Sequence, residues 1–110
     1  DPTAHAEILA IQRAVKKRGY SRLIGATLYT TLEPCAMCAG AILLARVHRV
    51  VYGARDAKSG FCGSLHNIMI DQRLNHQVDV RGGVLAEESA QLLQDFFRLR
   101  RTLAGSGGQI

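Results

Sequence analysis

Two short segments of the chain contain side chains of the kinds that bind transition metals. His5 opens an H-A-E run that ends at Glu7, and a later P-C-A-M-C run supplies Cys35 and Cys38. Two thiolates and one imidazole make three ligands. A catalytic zinc site takes this number from the protein, because its fourth tetrahedral position stays open for water. The carboxylate of Glu7 can exchange protons with that water. The sequence therefore predicts a catalytic zinc centre with Glu7 as the proton shuttle and three ligands: His5, Cys35 and Cys38.

Each half of this pattern has a simpler explanation when it is taken alone. A C-x-x-C pair can be a redox pair or two buried thiols, and Glu7 could be an ordinary acidic residue in the first turn of a helix. The combination of both halves is far more specific than either one. Cys62 and His66 could instead complete a closed structural site. A fourth protein ligand would, however, block the position for water and leave Glu7 without a role.

The composition indicates one folded domain. The chain has 110 residues, of which 47% are hydrophobic, enough for a single small domain with a modest core. No apolar run is long enough to span a bilayer and no signal peptide opens the chain. We therefore expect a cytoplasmic location and no membrane partner. The three cysteines do not make a disulfide framework, and a reducing compartment suits thiolate ligands.

The charge of the chain favours an anionic partner. The formal net charge is +5 and the isoelectric point is about 9.6. Two basic clusters stand out, one at 16–18 and one at 98–101, where three arginines follow two phenylalanines. A polyanion such as RNA would interact with both clusters through the release of counterions. Either cluster could equally be the solvated end of a helix.

The elements that must position these residues alternate between helix and strand. Apolar residues recur at helical spacing before Gly19, and a run of β-branched and aromatic residues follows. The expected order is a helix over Thr3–Arg18, a strand over Thr27–Leu32, a helix over Pro34–Arg46, a strand over Arg49–Tyr52, a loop over 54–75 with one short helical piece near Leu65–Ile68, a strand over Gln77–Val80 and a helix over Glu87–Leu103.

This alternation predicts an α/β sandwich in which residues 27–52 form a compact β-α-β unit. Residues two apart on a helix point to nearly opposite sides, so His5 and Glu7 can share a site only off the open end of their helix. Cys35 and Cys38 would likewise lie at the opening of the second helix. Two helix N-termini would then face one metal, and their partial positive charge would favour thiolates.

Five segments together resemble one known family. The zinc pattern itself is typical of zinc-dependent nucleobase deaminases, a class that includes cytidine and guanine deaminases. The G-A-R-D-A-K segment and the D-F-F-R segment favour the bacterial tRNA-specific adenosine deaminases, which residues 1–101 resemble nearly end to end. The segments that carry the resemblance are D-P-T-A-H-A-E-I from Asp1, T-L-E-P-C-A-M-C-A-G-A from Thr31, V-V-Y-G-A-R-D-A-K-S-G from Val50, L-N-H from Leu74 and D-F-F-R-L-R-R from Asp95.

The resemblance implies both a fold and a reaction. The fold is a three-layer α/β/α cytidine-deaminase-like sandwich with a mixed sheet, built by a deaminase domain over residues 1–104. The glycine- and serine-rich composition of residues 105–110 separately predicts a flexible tail. The reaction is the zinc-dependent hydrolytic deamination of adenosine to inosine at the wobble position of tRNA, in which a zinc-bound hydroxide attacks the base. The family acts on the tRNA anticodon stem-loop as a homodimer with one Zn²⁺ per subunit.

The resemblance also implies contacts with RNA. By position, Asp56 would touch the ribose of a nucleotide beside the target base, and Phe97 would help to shape the anticodon pocket. Three basic side chains would lie near phosphates: Lys58, Arg98 and Arg101. Two alternatives stay open at this point. Asp56 could simply cap a turn, and an aromatic residue on an amphipathic helix is usually part of the core.

The chain departs from the family pattern at its start. Family members carry a helix and two strands before the segment that begins at Asp1, including a loop that places an asparagine in the nucleoside pocket. We therefore expect an N-terminally truncated fold, with an open edge on the strand over Thr27–Leu32 and marginal stability unless another polypeptide supplies the missing segment. Two alternative functions remain, a deaminase of free cytidine or guanine and a catalytically incomplete, zinc-stabilised RNA-binding fragment.

Overall fold

The structure is a computed structural model that describes the backbone of residues 1–105 and the side chains of residues 1–95. The order of helices and strands is the one predicted from the sequence. The elements are helix α1 (Ala6–Arg18), strand β1 (Thr27–Leu32), helix α2 (Ala36–Leu44), strand β2 (Arg49–Ala54), a short 3-10 helix (Ile68–Ile70), strand β3 (Asp79–Arg81) and helix α3 (Ala86–Gly105).

Several boundaries differ from the prediction for local reasons. Helix α1 begins at Ala6, not Thr3, because His5 is still extended with φ −69° and ψ 150°. Helix α2 ends at Leu44, and Arg46 then takes a left-handed conformation with φ 59° that stops the helix. The 3-10 helix lies at Ile68–Ile70, slightly later than the predicted piece. Helix α3 continues to Gly105, where the flexible tail was expected to begin.

The three strands form one parallel sheet in the order β1-β2-β3. Thr27 pairs with Arg49 at one end of the β1-β2 ladder, and Leu32 pairs with Ala54 at the other. This parallel pairing confirms the β-α-β unit over residues 27–52. The expectation of a mixed sheet is not met within residues 1–105, because the β2-β3 ladder is parallel as well. A mixed sheet would need an antiparallel strand in addition to these three.

Helices cover both faces of the sheet, which gives the expected three layers. Side chains alternate along a strand, so Val50 and Tyr52 point to the face that carries α1 and α2, whereas Gly53 contacts Ser89 of α3 on the other face. The core lies mainly between the sheet and α2. Its fully buried members include Cys38, Ala39, Ile42, Val47, Val50, Tyr52 and Met69.

Strand β1 forms an edge of the sheet in the part of the chain that the structure describes. Tyr29 on this strand is 75% exposed, although it is a large side chain in a strand. An unpaired strand edge offers free N–H and C=O groups to another chain. The edge itself is the one expected from the sequence, whereas its consequences for association stay a prediction. No helix in the described region is long and apolar enough to cross a membrane.

Candidate metal centre

Both metal-binding motifs lie at the N-termini of helices. His5 is the N-cap of α1 and Cys35 is the N-cap of α2, each with extended backbone and without a capping bond from its side chain. Glu7 and Cys38 follow in the first turns of the same two helices. The sequence predicted this arrangement. Because His5 precedes the first helical residue, its side chain can reach the same region as that of Glu7.

The structure brings three potential ligand atoms together. The Nδ1 atom of His5 lies 3.4 Å from the Sγ atom of Cys38 and 3.7 Å from the Sγ atom of Cys35. All three ligand atoms lie within 4.8 Å of one another. Tetrahedral zinc with ordinary Zn–N and Zn–S bonds would hold nitrogen and sulfur about 3.6 Å apart. The separations therefore fit a zinc ion at the centre of the cluster.

The alternative of a closed structural site is not supported. Within residues 1–95, Cys62 and His66 do not belong to the ligand cluster. The backbone N–H of Cys62 donates to Glu33, and the ring of His66 lies against Phe61 with the ring centroids 5.0 Å apart. Both residues belong to the loop that packs beside the cluster, so within residues 1–95 the candidate cluster has three donors: His5, Cys35 and Cys38.

The cluster is buried at one side and accessible at the other. Cys38 is fully buried, Cys35 is half-buried and His5 is exposed. Burial raises the pKa of the Cys38 thiol well above its usual value, and the neighbouring Glu7 carboxylate and Cys35 raise that pKa further. A divalent cation would offset both effects, because it stabilises the thiolate form directly. The donor set thus fits a metal ion better than a free thiol pair.

Glu7 lies beside the cluster in a shallow cleft between α1 and β1. The Thr30 hydroxyl lies 3.4 Å from Oε1 of Glu7 and 3.1 Å from the carbonyl oxygen of Leu32, so its one proton has two acceptors. The Glu7 carboxylate is near enough to Cys38 to raise the pKa of that thiol. The cleft has a volume of about 310 Å³ and is lined by Ala6, Glu7, Ala10, Leu28, Tyr29, Thr30 and Thr31. A carboxylate with one long hydrogen bond at the side of a cleft can accept and release protons there.

A second carboxylate near the cluster was missed by the sequence analysis. Glu33 lies between β1 and Pro34 and is only 2% exposed. Its oxygens accept the backbone N–H groups of Asp56, Cys62 and Ser64 at 2.9 to 3.1 Å, and the Ser64 hydroxyl as well. Burial acts to raise the pKa of Glu33, but these hydrogen bonds outweigh it and hold the pKa below its usual value. The signal in the sequence was an acidic residue between a β-branched, aromatic strand and Pro34, where a buried charge would require partners.

The RNA-contacting residues that the resemblance implied are only partly described. Oδ1 of Asp56 accepts the backbone N–H groups of Lys58 and Ser59, both at 3.1 Å. Asp56 thus caps a turn, as its alternative interpretation predicted. This capping role does not test the predicted contact of Asp56 with a ribose. Lys58 is exposed. The side chains of Phe97, Arg98 and Arg101 lie outside the described residues, so their roles stay predictions.

The chain is similar in sequence to curated tRNA deaminases. It is 52% identical over 101 residues to the tRNA-specific adenosine deaminase of Haemophilus influenzae, a match that covers 92% of this chain and 58% of the relative. It is 56% identical over 95 residues to the enzyme of the same name from Bacillus subtilis, covering 86% of this chain and 59% of that one. The chain therefore spans slightly under three fifths of these relatives.

The fold is shared with solved deaminase structures. A structure from a study of A-to-I editing by tRNA:A34 deaminases at the wobble position of transfer RNA superposes with a TM-score of 0.78 at 47% identity, over 83% of this chain and 66% of that one. A guanine deaminase from Nitrosomonas europaea gives a TM-score of 0.70 at 29% identity, over 86% and 57%. These similarities confirm the cytidine-deaminase-like fold and the resemblance to tRNA-specific adenosine deaminases. The profile of the MafB19-like deaminases matches residues 1–101, and the chain belongs to this family.

Proposed function

We propose that the protein catalyses the zinc-dependent hydrolytic deamination of adenosine to inosine at the wobble position of tRNA. The observation that carries this proposal is the convergence of His5, Cys35 and Cys38 to within 4.8 Å, with the Glu7 carboxylate in the first turn of the helix that His5 caps. The curated relatives that the chain resembles are named tRNA-specific adenosine deaminases. A deaminase site and this similarity in sequence point to the same reaction.

His5, Cys35 and Cys38 would hold one Zn²⁺ per subunit, since their separations match a tetrahedral donor set. When it is bound, zinc supplies a Lewis acid that lowers the pKa of a water molecule toward neutrality. Cys35 and Cys38 hold this site from the start of α2, where the helix N-terminus favours negative charge. His5 completes it from the start of α1, on the accessible side where a base can enter.

Glu7 moves the protons of the reaction. Its carboxylate would take one proton from the attacking water and deliver it to a ring nitrogen of the purine, and would then carry the second proton, from the added hydroxyl, to the departing amino group. Water is thereby added at the ring carbon and ammonia leaves, so that adenosine becomes inosine. The hydroxyl of Thr30, which lies 3.4 Å from Oε1 of Glu7 and 3.1 Å from the Leu32 carbonyl oxygen, would give this carboxylate at most a weak hydrogen bond. The other oxygen of the Glu7 carboxylate would accept the proton from the attacking water.

The substrate would be bound as the anticodon stem-loop of a tRNA. The net charge of +5 supports a polyanionic substrate. Asp56 would contact a ribose next to the target base. Lys58, Arg98 and Arg101 would contact phosphates, and Phe97 would shape the pocket. A homodimer, a cytoplasmic location and completion of the fold by a complementary N-terminal segment stay predictions of the same proposal.

One alternative has a specific observation in its favour. The guanine deaminase of Nitrosomonas europaea shares the fold over 86% of this chain, so a free base is a reasonable competing substrate. The similarity is lower than that to the tRNA:A34 deaminase structure, at 29% against 47% identity. A catalytically incomplete, zinc-stabilised RNA-binding fragment is the other alternative.

A substrate panel with a zinc assay distinguishes these functions. The zinc-loaded protein is incubated with an anticodon stem-loop that carries adenosine at the wobble position, with the same loop carrying guanosine there, and with free adenosine, cytidine and guanine. We expect inosine to form from the first RNA at a rate at least about 100-fold above every other turnover. Faster deamination of free cytidine or guanine contradicts the proposal. RNA binding with one zinc per chain and no turnover of any substrate favours the non-catalytic alternative.

A further inference from the structure

We propose that Glu33 is a positioning residue that fixes the 55–64 loop, which carries Asp56 and Lys58, to the start of helix α2, which carries Cys35. The role of this contact in recognising RNA rests on the function proposed above. The contact itself does not, because it is a property of the fold.

Glu33 accepts hydrogen bonds from three residues of the loop: Asp56, Cys62 and Ser64. Oε1 accepts the N–H of Asp56 at 3.1 Å and also the hydroxyl of Ser64. Oε2 accepts the N–H of Cys62 at 3.0 Å and the N–H of Ser64 at 2.9 Å. One side chain thus receives four donors from both ends of the 55–64 loop. Hydrogen bonds to a charged acceptor are about twice as strong as neutral ones, so this set holds the loop firmly.

Backbone contacts place the same loop directly on the metal-binding turn. The N–H of Phe61 donates to the carbonyl of Pro34 at 2.9 Å, and Gly60 forms an isolated antiparallel bridge with Cys35. A Cβ atom at Gly60 would overlap the Glu33 carboxylate and lie 2.6 Å from the carbonyl oxygen of Asp56. The 55–64 loop therefore packs in direct contact with the Glu33 carboxylate and with the turn that contains Cys35.

The position of Asp56 depends on this carboxylate. Asp56 donates its own N–H to Glu33, while its side chain caps the N–H groups of Lys58 and Ser59. Glu33 thereby fixes the position of the turn that contains Lys58 relative to Cys35. A carboxylate can accept all four donors, whereas the NH₂ group of a glutamine in its place would face backbone N–H groups that also need an acceptor. A negatively charged side chain at position 33 is therefore required to accept all four donors of the loop.

Glu33→Gln tests the inference through two independent readouts. The first is amide hydrogen exchange of the zinc-loaded protein. We expect exchange at Asp56, Cys62 and Ser64 to become about 10- to 100-fold faster, the range for losing hydrogen bonds to a charged group, while the amides of the β1-β2 ladder keep their rates. The second is steady-state kinetics on the anticodon stem-loop, where we expect KM to rise about 10-fold with a smaller change in kcat.

Two further variants make the experiment decisive. Glu88→Gln changes the same group at an exposed position of α3 and is expected to leave exchange and KM unchanged. Ser64→Ala removes only the hydroxyl donor to Glu33, so it gives a milder form of the same effect if Glu33→Gln fails to fold.

The outcomes separate this inference from the proposed function. Unchanged exchange at the three loop amides overturns the positioning role, whatever the kinetics. Faster exchange together with an unchanged KM overturns the link between the loop and RNA binding. If the parent protein deaminates no RNA, the proposed function fails, and the exchange measurement still decides whether Glu33 holds the loop.

Discussion

Two carboxylates close to the candidate metal centre lie in opposite environments. Glu7 lies at the side of a cleft, and its one hydrogen-bond contact is long, at 3.4 Å from a Thr30 hydroxyl that also contacts the Leu32 carbonyl oxygen. Glu33 is 2% exposed and receives four hydrogen bonds, three of them from backbone N–H groups. A group that must exchange protons needs access and few fixed partners, whereas a buried charge must be fully bonded. The difference supports the proposed proton-transfer role of Glu7 and the proposed positioning role of Glu33.

The largest expected effect comes from comparing two buried cysteines, one with a proposed chemical role and one without. Cys38 belongs to the candidate ligand cluster, and Cys62 does not. Cys38→Ala is expected to lose zinc binding and all deaminase activity, because two ligands remain. Cys62→Ala is expected to keep one zinc per chain and to lose about 1–2 kcal/mol of stability from the small cavity. Zinc stoichiometry and thermal unfolding measure both effects. Full zinc binding by Cys38→Ala would contradict the ligand assignment.

A matched pair of glycines tests how tightly Glu33 is enclosed. Gly60→Ala places a methyl group against the Glu33 carboxylate and is expected to cost about 1–3 kcal/mol of unfolding free energy. A methyl group added at Gly40, inside α2, would meet no atom within 4 Å outside its own stretch of helix. Gly40→Ala is therefore expected to be neutral or to stabilise by up to about 1 kcal/mol, since alanine favours a helix. Denaturant unfolding measures both, and equal stabilities would show that the loop beside Glu33 is loosely packed.

Thr30→Val gives the smallest expected effect. It removes the hydroxyl that contacts Glu7 at 3.4 Å and the Leu32 carbonyl oxygen at 3.1 Å, and it keeps the shape of the side chain. A long, partly exposed hydrogen bond contributes about 1 kcal/mol or less, so we expect kcat to fall by a few-fold with zinc content unchanged. A loss of kcat as large as that of a Glu7 variant would mean that Thr30 itself takes part in the proton transfer.

The sequence was sufficient to predict that His5, Cys35 and Cys38 come together, because they lie at the starts of two helices. His5 and Cys35 are N-caps, which agrees with the prediction that the site lies off the N-terminal ends of the two helices. The parallel β-α-β unit followed from strand and helix patterns in the same way. Boundaries were less accurate, because features such as the left-handed Arg46 are not visible in apolar spacing.

The role of Glu33 could not be predicted because its partners come from the loop. Cys62 and Ser64 lie 29 and 31 positions further along the chain, and the loop has no regular pattern to indicate how it folds back. An acidic residue before Pro34 could be recognised as unusual, but only the three-dimensional structure shows which N–H groups it accepts. Local motifs were therefore predictable, and the packing between them was not.

The kcat of a zinc-loaded Glu7→Gln variant on the anticodon stem-loop tests the central claim most directly. Glutamine keeps the size of the side chain and cannot carry the proton. We expect kcat to fall by about 10²- to 10⁴-fold, the usual contribution of a general acid–base, with one zinc per chain and an unchanged melting temperature. A zinc-replete Glu7→Gln protein that deaminates within a few-fold of the parent rate would contradict the assignment of the chemistry to Glu7.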